Sequence, residues 1–241
     1  MNVNEIVRIV PTLKVNNRKL NERFYIETLG MKPLLEESAF ISLGDQTATE
    51  RLILEEAPSM RTRRVEGLKK LARLLIKVEN PSEIEALLSQ MKSLPRLFKG
   101  KRGYAFEIVS PEEDVILVHA ENDIRDLVPL ETAPEFYSNT SIKYLSQFEV
   151  SMELRLPEGA ESLLDPEGVA PAIIFTKGQG ADLAVENNVT WDLTMLKFLV
   201  RNFDLTSLRQ KFEKTGYFVP KSEKFFLGKD TNNIELWFEE A

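Results

Sequence analysis

Residues 6–31 read IVRIVPTLKVNNRKLNERFYIETLGM, and this stretch decides the fold. A β-like run carries Ile6, Ile9, Val10, Leu13 and Val15 and ends at Val15-Asn16-Asn17. An amphipathic helix opens straight after it. Asn17 is placed to cap that helix, because its side-chain oxygen can accept a free backbone N–H of the first turn. Leu20, Phe24 and Leu29 recur near helical spacing. Gly30 then stops the helix where a left-handed residue is wanted. The Val-x-Asn triplet returns at Val78-Glu79-Asn80 and at Val200-Arg201-Asn202. The first interval is roughly 60 residues and the second about twice that, so the chain reads as a tandem array of four units with the third start blurred.

Each unit reads β-α-β-β-β. In unit one, strands are predicted over Met31–Glu36, Ala39–Leu43 and Arg51–Glu56. Unit two opens with the apolar run Leu71–Val78. Asn80 caps its helix, Pro81 suits the first helical position, and Ile84, Leu87, Leu88 and Met91 form the buried stripe. A short strand near Arg96–Phe98 and strands Tyr104–Val109 and Val115–His119 follow. Residues 120–140 are acidic, proline-containing and aperiodic, the marks of a linker. Two domains are therefore expected, 1–122 and 143–241. Unit three begins with the alternating strand Phe148–Leu156. PEGAESLLDPEGVAP then leaves room for one helical turn at most, so this unit lacks most of its helix. Ala172–Thr176 and Asp182–Glu186 are predicted strands. Unit four is intact: a strand over Leu193–Val200, a helix capped by Asn202 or Asp204, and strands over Lys224–Leu227 and Ile234–Phe238. The fold class is α+β.

The sequence has 241 residues, which is long enough to bury a large core without disulfides or metals. It has no cysteine, so disulfides, thiolate catalysis and cysteine-ligated metals are excluded. No apolar stretch approaches the ~18 residues that span a bilayer. The opening MNVNEIVRIVPTLKV has no basic segment followed by a continuous apolar one, so a cytoplasmic protein is expected, with any surface exposure by a non-classical route. A net charge of −7 argues against nucleic acid as the main partner.

The segment from Val15-Asn16-Asn17 through Phe24-Tyr25 to Leu29-Gly30-Met31 resembles the opening of vicinal-oxygen-chelate proteins, the superfamily of glyoxalase I, bleomycin-resistance proteins and extradiol dioxygenases. Asp230 through Ile234-Glu235-Leu236 resembles that superfamily's last-strand phrase. The whole chain, including Leu54-Glu55-Glu56-Ala57-Pro58-Ser59 and the degenerate third unit, is similar to the streptococcal CppA family. The resemblance implies paired units curling into cups, in two glyoxalase/bleomycin-resistance-like domains. It also implies a C3-degrading proteinase activity, with complement C3 as the partner.

Superfamily enzymes hold a divalent metal with His, Glu or Gln from first and last strands of paired units. Here those positions fall near Val10, Met195 and Leu117, and only Glu235 is of ligand type. A metal site needs three or four donors in one cup, so no cofactor or metal is expected. His119 is the only histidine. It shares a strand face with Leu117, and is either a rim residue bonded to a loop or a general base. A proteinase needs a nucleophile or an activated water. There is no His-Glu-x-x-His and no Gly-x-Ser-x-Gly. A serine–lysine pair stays open. The basic stretch Arg61, Arg63, Arg64, Lys69, Lys70 and Arg73 reads as a solvated connector or as a contact for an acidic protein. Trp191 and Trp237 read as core. A cup lined by Trp237, Phe225 and Phe226 would instead suit an apolar ligand.

The reading is thus a metal-free binding protein that takes a small apolar ligand or a protein partner through its cups, with Leu117, His119, Glu235, Phe226 and Trp237 as candidate contacts. Hydrolysis through His119 and sequestration of the bleomycin-resistance type are the alternatives. A homodimer is open to such a chain.

Overall fold

Strand and helix order follow the four-unit reading. The computed structural model describes residues 4–58, 60, 62–137 and 141–241, so Ser59 and Arg61 lie outside the described residues. Unit one comprises β1 (Glu5–Val15), α1 (Arg18–Arg23), a π-helical turn Phe24–Thr28, then β2 (Lys32–Glu37), β3 (Phe40–Gly44) and β4 (Glu50–Glu56). Unit two comprises β5 (Leu71–Val78), α2 (Pro81–Gln90), β6 (Arg96–Lys99), β7 (Tyr104–Val109) and β8 (Val115–His119). A 3-10 turn Ile124–Asp126 and the short β9 (Val128–Pro129) follow. Unit three has β10 (Phe148–Pro157), the single-turn α3 (Pro166–Val169) and β11 (Ile173–Gly178). Unit four has β12 (Leu193–Arg201), α4 (Leu205–Lys211), β13 (Tyr217–Phe218), β14 (Phe225–Lys229) and β15 (Glu235–Glu240).

Local chemistry sets the boundaries. Asn17 Oδ1 accepts from the Leu20 N–H at 3.0 Å, and Asn80 Oδ1 from the Ser82 N–H at 3.2 Å. The fourth helix is capped by Asp204, which accepts from Thr206 and Ser207, and Asn202 instead takes a left-handed φ of 53°. Gly30 has a φ of +69° and packs so near Leu87 and Leu145 that a Cβ would crowd both. Asp182–Glu186 does not form the expected strand. Ala181–Ala184 is a 3-10 turn, because the Asp182 carboxylate is committed to the Arg63 guanidinium and the Glu66 N–H.

The sheets cross the sequence halves. An eight-stranded sheet runs β13-β14-β15-β12-β1-β4-β3-β2, and a seven-stranded sheet runs β11-β10-β5-β8-β7-β6-β9. Unit one therefore pairs with unit four, and unit two with unit three. Each sheet thus draws strands from both 1–122 and 143–241. β1 lies antiparallel to β12, from Glu5 opposite Arg201 to Leu13 opposite Leu193. β5 lies antiparallel to β10. One continuous apolar core draws on all four units, with Leu13, Leu87, Phe148 and Phe198 among its members.

Candidate functional site

Alternation along β12 divides the first sheet's two faces. Phe198, Val200, Phe226 and Phe238 pack with Phe212 at the end of α4. Lys197 lies on the other face, opposite Val10 on one side and Trp237 on the other. Met195 lies opposite Thr12 and Glu235. Trp237 stacks on Phe225 at 3.8 Å and 15°, and its Nε1 donates to Glu239 at 2.8 Å. Glu235 and Trp237 thus share the open face. Phe226 does not: it is fully buried on the α4 side, 5.3 Å from Phe212. The expected place of Phe226 in a ligand cup is corrected, and its neighbour Phe225 stands there instead. Trp191 is buried and donates to the Ala57 carbonyl at 2.8 Å.

The superfamily's metal does not fit this donor set. Val10 and Leu117 bring no ligand atom, and Met195 brings only a soft thioether in place of an imidazole or carboxylate. At the level of Val10 the face carries an ammonium, since Lys197 Nζ sits 3.0 Å from Glu50 and 3.1 Å from Glu239. Burial draws this lysine's pKa down, but its hydrogen bonds to Glu50 and Glu239 leave it raised above the ordinary value. A cation thus already neutralises Glu50 and Glu239 on this face. Among the described residues no three His, Cys, Asp or Glu converge as a metal group.

On the second sheet, Leu75 and Lys77 of β5 lie opposite Leu117 and His119 of β8, and opposite Ser151 and Glu149 of β10. The chain itself covers part of this face. Ile124 and Leu127 pack on Leu75, Phe98, Ala105 and Leu117, so Leu117 sits beneath a plug made from the linker. Beside the plug is a cavity of about 510 Å³. Its floor includes Leu75, Lys77, His119, Ser151 and Ile174, and its far wall comes from the first sheet, including Arg8 of β1 and Arg51 of β4.

The polar groups of this cavity differ in how they are satisfied. Arg51 Nε is held by Asp45 at 3.0 Å. Lys77 Nζ donates to Asn122 Oδ1 at 3.0 Å, a neutral partner. Arg8 makes no ion pair among the described residues, and its buried Nε has no hydrogen-bond partner. Burial first, then the nearby Arg51, lowers its pKa, with Glu50 and Asp45 acting in the opposite sense. His119 is only 5% exposed, and its Nδ1 has no partner. Burial and then Lys77 push its pKa down to about 4, against a backbone hydrogen bond with Glu121. It is therefore neutral at pH 7 and a weak base. Arg8 was not singled out from the sequence. The signal was present: a lone arginine inside the apolar run Ile6–Val10 of a core strand.

The remaining catalytic candidates do not assemble. Lys70 is buried with a pKa lowered to about 8, chiefly by desolvation, but its Nζ donates to the Val185 carbonyl at 2.7 Å. Among the described residues no serine hydroxyl is bonded to a lysine or to His119; Ser42, Ser110 and Ser162 instead bond Glu50, Asp114 and Asp230. Four described members of the basic stretch are paired within the chain: Arg63 with Asp182, Arg64 with Glu113, Lys69 with Asp114, and Arg73 with Glu153.

Two mixed sheets built from βαβββ units are the fold of the glyoxalase-like, vicinal-oxygen-chelate class. A glyoxalase I variant from Zea mays aligns over 97% of this chain and 93% of its own, at a TM-score of 0.55 and 12% identity. The CppA N-terminal family matches residues 8–130 and the CppA C-terminal family residues 145–238, and the chain belongs to the CppA family. The crystal structure of the cppA protein from Streptococcus pneumoniae TIGR4 is 66% identical, covers 100% of both chains and has a TM-score of 0.95. No curated protein matches the sequence.

Proposed function

We propose that the protein binds a small, largely apolar molecule in the cavity between its sheets, without a metal. The carrying observation is the cavity of about 510 Å³, a size that suits a small organic ligand and not a protein segment. Its apolar part comes from Leu75, Val150, Val169 and Ile174, and polar side chains including Arg8, Lys77, His119 and Glu149 line the rest. The cup face near Leu117 is a poorer candidate, because Ile124 and Leu127 occupy it. A C3-directed proteinase is the second reading. It rests on family resemblance, and a neutral His119 with no bonded nucleophile gives it no chemistry.

The test is titration with N-phenyl-1-naphthylamine, a neutral apolar fluorophore. Saturable binding near one equivalent is expected. Ile174→Trp places bulk in the cavity from a residue that is already 44% exposed, so folding should survive. Affinity should fall at least ~10-fold. Equal binding by wild type and variant, or none by wild type, would sink the reading.

A further inference from the structure

Arg8 is a cost that folding retains for no visible structural return. A half-buried guanidinium without an ion pair loses hydration, its Nε gains no hydrogen bond, and Glu50 and Asp45 act on it only without direct contact. The other charges lining the cavity are nearly accounted for. Arg51 is paired with Asp45 and Asp123 holds Arg125, while Glu121 accepts only the Arg102 backbone N–H and keeps its charge. That leaves Arg8, and Lys77 on its neutral asparagine, against the exposed Glu149. Counting the buried Glu121 carboxylate, the lining is close to neutral overall, and Arg8 stands out as a guanidinium without an ion pair beside the apolar Leu75, Val169 and Ile174. His119 Nδ1 is a second unsatisfied group on the same lining, on a side chain that is 95% buried by its 5% exposure. Buried polar atoms without partners in a roomy cavity mark a space that holds something able to bond them.

We infer that the cavity takes a small organic monoanion, a monocarboxylate with a hydrocarbon tail, its carboxylate paired with Arg8 and its tail over Leu75, Val169 and Ile174. This rests on the cavity being the ligand site. An arginine fork matches a carboxylate with two parallel N–H···O bonds, and such a pair is strong where water is excluded. The tail accounts for the apolar part of the lining, Leu75, Val150, Val169 and Ile174. His119 Nδ1, as an acceptor, adds a place for a hydroxyl or N–H of the ligand or for a bridging water.

The experiment is displacement of N-phenyl-1-naphthylamine by octanoate and by 1-octanol, which share a tail and differ in charge. Octanoate should displace the fluorophore at a concentration at least ~10-fold lower than octanol. Arg8→Gln should weaken octanoate by at least ~10-fold and leave octanol and the fluorophore within about twofold. Arg8→Lys, which keeps the charge but loses the fork, should recover part of the octanoate affinity. In the free protein Arg8→Gln should match or exceed wild type in Tm, because it removes an uncompensated charge. If octanoate and octanol displace equally, or Arg8→Gln leaves octanoate unchanged, the anion assignment is overturned while the cavity stands. A markedly lower Tm for Arg8→Gln also overturns it, since the fold would then be using the guanidinium. If Ile174→Trp leaves the fluorophore bound, the cavity itself is wrong.

Discussion

His119 makes the protein's stability depend on acid in a way that can be measured. Its folded pKa is about 4, from burial and the neighbouring Lys77, and its unfolded value is the ordinary 6.5. Between those values the unfolded chain binds the proton and the folded chain does not. Stability is therefore full above pH 6.5 and falls as pH drops toward 4, by about 3 kcal/mol for a shift of this size. Urea unfolding at pH 7 and pH 4.5 should show that loss, and His119→Gln should flatten the difference. An unchanged pH slope in the variant would refute the assignment. The strand position of His119 beside Leu117 was legible, because strand residues alternate and both sit on odd positions of one run. Its pKa was not, since the burial comes from residues 121–124 and from other strands. The Phe225-Phe226 doublet failed for a related reason. Two adjacent aromatics satisfy either parity, and only the partners Trp237 and Phe212 decide which one faces out.

Elements were read most securely where cap and stripe agree. Asn17, Asn80 and Gly30 each act at the predicted helix ends. Asp204→Ala should cost about 1 kcal/mol, the usual worth of an N-cap, with no change in fluorophore binding. The segment at 61–73 reads as a solvated connector or as a contact for an acidic protein, yet its partners lie some 40 to more than 100 positions away, at Glu113, Asp114, Glu153 and Asp182. No local pattern encodes such pairs. The joint between the sheets is of the same kind. Asp192, just before β12, is fully buried and accepts from the Lys70 N–H at 2.6 Å, the Leu71 N–H at 3.1 Å and the Leu193 N–H at 2.8 Å. It ties the start of β5 to the start of β12. Asp192→Ala strips those N–H groups of their acceptor in a dry site, and a loss of about 2–4 kcal/mol is expected from chemical denaturation. A change below about 0.5 kcal/mol would mean that the joint is held by packing alone.

At the scale of the molecule, the repeat announced four units but not their pairing. A βαβββ unit exposes strand edges that a neighbour must cover, and units of similar pattern offer more than one solution. The chosen one interleaves the halves: β1 of the first half runs along β12 of the second, and β5 along β10. The linker is still the natural place to cut. Residues 131–133 are exposed and outside strands and helices. A site-specific protease sequence inserted there should be cleaved readily with little effect on stability, because a longer surface loop costs little. The two fragments should not separate. They should coelute as one particle of the uncut size and retain fluorophore binding, since Arg8 and Ile174 line one cavity from different fragments. Each half made alone would expose the edges of β1 and β5, or of β12 and β10, along with the core faces beneath them, and neither should give a cooperative thermal transition. Mixing the halves from denaturant should restore both the transition and the binding. Two halves that each fold and run as independent monomers would overturn this architecture, because no sheet would then need a strand from the other half.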